Sequence, residues 1–144
     1  MAEGILKKFL LDSRDKHTVS ATSAGVDALV DCHPDRKSLE VCLEKGIDMS
    51  SHTARQVTKE LLLKADLVLC MQRMHQQRII SAFPKFMHNT FLLKEYQREN
   101  PPDDPEINDP TGKSKKYYRK CFGEIEEEIQ RITPGFFLHT HASL

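Results

Sequence analysis

Asp109 is the residue of this chain whose surroundings best suit proton transfer. It stands in Asn108-Asp109-Pro110-Thr111-Gly112, after a polar stretch and ahead of a charged helical pattern. An aspartic acid on such a loop can approach a bound molecule and protonate a departing oxygen. Asp-Pro is also a common turn opener, so the pair alone does not define an acid. A nucleophile for such an acid to assist, such as an activated thiolate, is not found. The cysteines are Cys32, Cys42, Cys70 and Cys121, and none has an arginine six positions on around a Gly-rich turn. Cys70 lies inside an apolar run, where burial raises a thiol's pKa and hides it. Cys32 precedes His33, but adjacent residues seldom turn their side chains toward one another productively. No cysteines form a CxxC pair and the seven His are scattered, so neither a metal nor a cofactor is expected.

The segment carrying Asp109, from Gln97 to Ser114, is polar and holds Pro101, Pro102, Pro105 and Pro110. It reads as a long loop, and long loops in compact domains are often functional. Before it, Leu67–Met71 is a continuous apolar run of strand length, the mark of a strand buried on both faces, and Asn89–Leu93 reads as another buried strand. Between them, Arg73–Phe83 reads as a helix ended by Pro84. After the loop, Tyr118, Phe122, Ile125, Ile129 and Ile132 step by four and three along a helix from about Lys115 to Ile132. Tyr118 on that stripe suits core packing better than phosphorylation.

Toward the start, Ile5, Leu6, Phe9 and Leu10 give a first helix one apolar face. The β-prone run His17–Thr22 predicts a strand that stops at Ser23-Ala24-Gly25. Pro34-Asp35 opens a second helix, packed through Leu39, Cys42 and Leu43 and ended at Gly46. Thr58 caps a short helix through Leu63. Strands alternating with helices predict an α/β chain, a parallel sheet flanked by helices, with ligands at the carboxyl ends of the strands. One domain over residues 1–144 is expected, frayed from about residue 133 and including His139 and His141.

Charge balances at 21 basic against 21 acidic residues, which gives no electrostatic case for nucleic acid or a membrane surface. No apolar run reaches the roughly 18 residues of a spanning helix. Lys7 and Lys8 interrupt Ile5–Leu10, so no signal peptide is read there, and the unpaired cysteines suit a reducing cytoplasm.

Five motifs stand in one order: Ser23-Ala24-Gly25-Val26, Pro34-Asp35, Ser51-His52-Thr53-Ala54-Arg55-Gln56, Ala65-Asp66-Leu67-Val68-Leu69-Cys70-Met71 and Asp109-Pro110. Over nearly its whole length the chain resembles low-molecular-weight protein-tyrosine phosphatases. Leu92-Leu93-Lys94-Glu95-Tyr96 resembles the bacterial branch, which includes protein-arginine phosphatases. The resemblance implies a four-stranded parallel sheet of order 2-1-3-4, whose first strand leads into a C-x5-R-S-P phosphate loop followed directly by Met-Ala-Glu. Met1-Ala2-Glu3 matches the residues after that loop. The implication is that the central first strand and the phosphate loop are missing, with Met1 an internal methionine taken as a start.

By the same resemblance the full-length chemistry is hydrolysis through a cysteinyl-phosphate, with Asp109 as general acid. Ser23 and His52 match residues that support the phosphate loop, and here they would have nothing to hold. The nucleophile has no counterpart in this chain, which is expected to be inactive as written. Thr111 stands where the family usually carries an aromatic, and Ala28-Leu29-Val30 supplies no ring either. The full-length partner is then a phosphorylated protein or a small phosphomonoester, with phosphoarginine and arsenate chemistry open beside phosphotyrosine. The rival reading is a non-catalytic protein that binds a partner or dimerises through exposed sheet edges. A different enzyme with another nucleophile has no candidate residue.

Overall fold

The computed structural model describes residues 1–12 and 19–138; His17, Thr18, His139 and His141 lie outside them. The chain divides into two compact units. One gathers Met1–Ser23, His33–Thr53 and Asp109–Leu144, and the other Ala24–Cys32 and Ala54–Asn108.

In the first unit, helix α1 (Ala2–Asp12) buries Gly4, Ile5 and Leu10, on the expected apolar face. A Cβ at Gly4 would fall 2.6 Å from Met49 Sδ and 2.7 Å from Ile47 Cγ2. Glycine is therefore what lets α1 lie against the 47–49 segment, because a branched isoleucine methyl yields little. Helix α2 (Arg36–Glu44) starts where Asp35 accepts the Lys37 N–H at 2.8 Å. The chain leaves it at Gly46, whose φ of 72° suits glycine. The helix buries Val41 and Cys42, whereas Leu43, expected inside, is 66% exposed. The packing face centres on Val41 and Cys42, and Leu43 stands about 100° further round the helix, facing out.

Both α1 and α2 pack on helix α5 (Lys115–Leu138). The stripe Tyr118, Phe122, Ile125, Ile129 and Ile132 is buried as the periodicity predicts. The helix does not end at Ile132. It runs through Pro134 to Leu138, beyond the point where fraying was expected. A proline removes one amide donor and crowds the carbonyl four residues back. Here the buried Ile132 and Thr133 hold the last turns, and the Thr133 hydroxyl donates to the Ile129 carbonyl. Between α2 and α5, Lys115 bridges Glu40 and Glu44 at 2.9 Å each, and Arg119 takes both oxygens of Glu44. Hydrogen bonds from Arg119 and Lys115 hold the Glu44 carboxyl down to about 2. These pairs lie in solvent, so they fix register more than they add stability.

The second unit contains the sheet. Strand β1 (Val68–Cys70) pairs in parallel with β2 (Thr90–Leu92), in the register Val68–Thr90, Leu69–Phe91, Cys70–Leu92. Parallel neighbours need a crossover. Helix α4 (Arg73–Ala82) and the 3-10 turn Pro84–Asn89 supply it. Helix α3 (Lys59–Leu63) is capped by Thr58, whose hydroxyl accepts the Leu61 N–H at 3.3 Å. Leu62, Cys70, Ile79 and Leu92 form the core, with Val57, Val68, Phe83 and Phe86 packed on it. This is the α/β architecture read from the sequence.

One strand expectation is not met. Val19–Thr22 forms no strand among the described residues. β-prone residues become a strand only with a ladder partner. The pairing found nearby is an isolated parallel bridge between Gly25 and Gln56.

The long loop is tied down at the carboxyl end of β1. The Ile107 N–H donates to the Met71 carbonyl at 2.8 Å, and Lys94 Nζ donates to the Glu106 carbonyl at 2.8 Å. Glu106 Oε1 accepts the Arg73 N–H at 2.7 Å, giving α4 the cap that Gln72 does not provide. Among the described residues no helix is long and apolar enough to cross a membrane.

Candidate active site

Ser23 and His52, matched from the sequence, converge on one carboxylate. Ser23 Oγ donates to Glu3 Oε2 at 2.5 Å, and His52 Nδ1 lies 3.7 Å from the same oxygen. Lys7, one turn along α1, donates to Glu3 Oε1. The two residues are thus not left with nothing to hold: they fasten the first turn of α1. Glu3 is the member that sequence reasoning missed as a participant. Its neighbours approach from distant parts of the chain, and only the Glu3/Lys7 spacing of four was a local signal.

The Glu3 side chain is only 10% exposed. Burial pushes its carboxyl up, but hydrogen bonds from Lys7 and Ser23 and the charges of Lys7 and His52 outweigh it. The carboxyl sits below its ordinary value of 4.5. With the folded value depressed, the unfolded chain takes up the proton first. The stabilisation is full above the unfolded value and is lost as pH falls through the folded one. Thermal melting from neutral pH into acid should therefore drop more steeply for the wild type than for Glu3→Gln below the ordinary carboxylate range. Parallel acid slopes for the two proteins would show that the ionised carboxylate does not fasten this turn.

Asp109 stands in a second group of the same unit. It is exposed, while the following Pro110 is buried. Asp109 Oδ1 accepts the Thr111 N–H at 2.9 Å, and the Lys113 N–H donates to the Pro110 carbonyl at 2.9 Å. Gly112 has φ 78°, which this turn requires and which a side chain would strain. Lys37 of α2 donates to the Lys113 carbonyl at 2.6 Å. The loop is therefore closed on itself and pinned from outside, with a carboxyl in water. That arrangement suits a general acid, which must reach a leaving atom without moving its backbone.

The thiols offer no ready nucleophile. Burial pushes Cys70 up to about 11 and raises Cys42 as well, and Cys121 is buried. Cys32 is exposed. A thiol raised by burial is protonated at neutral pH and attacks poorly. A side chain that the sequence reading also passed over is Gln56. It donates to the Val26 carbonyl at 2.6 Å and accepts the Ala28 N–H at 3.0 Å, stapling the loop that follows Ser23-Ala24-Gly25.

Known proteins share both the sequence and the fold. A family model described as low molecular weight phosphotyrosine protein phosphatase matches residues 1–137. A protein-arginine-phosphatase of Bacillus subtilis strain 168 is 33% identical over 132 residues, 92% of this chain and 84% of that one. A low molecular weight protein-tyrosine-phosphatase, Ptp, of Acinetobacter johnsonii is 36% identical over 104 residues, 72% of this chain and 68% of that one. The solved structure of the YwlE arginine phosphatase from Geobacillus stearothermophilus superposes with a TM-score of 0.86 at 28% identity, covering 99% of this chain and 87% of that one.

Proposed function

Because the chain belongs to the low-molecular-weight phosphotyrosine protein phosphatase family, we propose that it carries the acid and the supporting frame for removing phosphoryl groups from protein side chains. The observation behind this reading is the pinned loop that holds Asp109 in solvent, with Oδ1 bonded to the Thr111 N–H. The catalytic form this reading calls for also contains a Cys-x5-Arg loop. Its thiolate attacks phosphorus, its arginine clamps the phosphoryl oxygens, and Asp109 protonates the leaving atom. Reading the coding DNA upstream of the Met1 codon in frame tests for that loop directly. A stop codon with no such loop would instead favour a non-catalytic role.

The substrate class follows from the residue beside the acid. Thr111 offers no ring to stack on a phosphotyrosine, and a lost aromatic pair is worth about 0.5–1.5 kcal/mol. Phosphoarginine, a flexible non-aryl group, loses nothing by that change, and the relative named as a protein-arginine-phosphatase supports it. In a form carrying the Cys-x5-Arg loop, kcat/KM should favour a phosphoarginine peptide over its phosphotyrosine counterpart. Thr111→Phe should recover roughly two- to tenfold on phosphotyrosine. A form that prefers phosphotyrosine and is indifferent to Thr111→Phe would overturn the assignment.

A further inference from the structure

Helix α2 opens with Arg36-Lys37, two cations in a first turn that holds no acidic side chain. The free amides of a helix N-terminus disfavour positive charge, so the place of Lys37 has another cause. Its backbone is fixed by the Asp35 carboxylate, which accepts the Lys37 N–H at 2.8 Å. Its ammonium reaches the turn that follows Asp109 and donates to the Lys113 carbonyl at 2.6 Å, while lying 5.9 Å from the centroid of the buried Tyr118 ring. Lys113 is bonded through its other backbone group as well, since its N–H donates to the Pro110 carbonyl. Directly after it, the Ser114 carbonyl accepts the Tyr117 and Tyr118 N–H groups at the start of α5. Lys113 is therefore the joint between the acid turn and α5. Just before it stands Gly112 at φ 78°, and a glycine leaves a turn free to swing unless something else holds it. Lys37 supplies that hold from another helix, 76 positions away along the chain.

We propose that Lys37 is a positioning residue for the Asp109 turn: its ammonium clamps the Lys113 carbonyl and so keeps the Thr111 N–H on Oδ1 of Asp109. The turn needs the clamp because Asp109 and Thr111 are both exposed, and a hydrogen bond made in water adds little by itself. A charged donor makes the stronger bond. The aromatic face beside the ammonium favours the same placement. The assignment deepens the reading of Asp109 as the acid and rests on it. A lysine that served α2 alone, or that lay idle on the surface, would leave the turn indifferent to loss of its ammonium.

The experiment is amide–water exchange by magnetisation-transfer NMR, which reads fast amides, on the 144-residue chain. The wild type is compared with Lys37→Met, Lys37→Arg, Asp109→Ala and the double variant Lys37→Met/Asp109→Ala. Lys37→Met keeps an apolar stem and removes the donor. Exchange at the Thr111 and Lys113 N–H groups should speed up about tenfold in it, the effect of losing one charge-assisted hydrogen bond from a local closed state. Lys37→Arg, which keeps a cationic donor, should stay near the wild type. At Thr111 the double variant should add little to Asp109→Ala, because the acceptor is already gone. Amides of Val41 and Cys42 in α2, and of Ile125 and Ile129 in α5, should keep their protection throughout. Unchanged exchange at Thr111 in Lys37→Met would overturn the proposal. A Lys37→Arg chain as loose as Lys37→Met would do so too, since the cationic donor would then not be what holds the turn. So would an equal loss at Val41 and Cys42, which would make Lys37 a residue of α2 alone. None of these readouts depends on turnover. A failed clamp is therefore seen apart from a failed acid, which is tested by comparing esters of different leaving groups in Asp109→Asn.

Discussion

Assayed by itself on p-nitrophenyl phosphate, the 144-residue chain is expected to release nitrophenolate no faster than buffer. The reaction needs a thiolate and an arginine that grip one phosphoryl group together. No cysteine of this chain has an arginine six residues on. Three of the four thiols are buried, two of them pushed up in pKa. Removing the nucleophile of such a unit typically abolishes most of about 10⁶-fold of catalysis, because the remaining groups have nothing to stabilise. Ser23 donates to Glu3 and His52 lies beside the same carboxylate, and Asp109 can donate a proton only after an attack has begun. Turnover that survives repurification and is abolished by a thiol reagent would contradict this. Cys32→Ser would then be the next variant, since Cys32 is the exposed thiol.

The second large effect concerns Asp109. In a form carrying a Cys-x5-Arg loop, Asp109→Asn should slow cleavage of phenyl phosphate far more than cleavage of p-nitrophenyl phosphate. A general acid contributes about 10²–10⁴-fold when the leaving oxygen is strongly basic, and much less when it departs readily as a stabilised anion. Asparagine can still accept the Thr111 N–H that Asp109 Oδ1 now accepts. The substitution therefore removes the proton and spares the loop. Pre-steady-state measurement of the phosphorylation step on both esters reads the ratio. Equal losses on the two esters would reduce Asp109 to a turn residue.

Acid slopes of Glu3→Gln probe the frame without turnover. Together with the two activity measurements they separate what the frame does from what the chemistry does.

The sequence by itself determined whatever depends on neighbours along the chain. The stripe from Tyr118 to Ile132, the Thr58 cap, the helix opened by Pro34-Asp35 and the strands at Leu67–Met71 and Asn89–Leu93 all appear as elements close to where they were read. Helix faces and caps are set within one or two turns, so the pattern and the physics coincide. The motif order also placed Asp109 on a loop. Only the tertiary structure decided the rest. Val19–Thr22 has strand residues but no ladder in the described residues, because a strand depends on a neighbour that periodicity cannot supply. Leu43 faces out because the packing of α2 on α5 turned the face toward Val41 and Cys42. Ser23 and His52 meet on Glu3 from distant segments, Ser23 through a side-chain hydrogen bond and His52 by an approach of 3.7 Å. Such bonds carry little local signal. They form where packing brings donor and acceptor within about 3 Å.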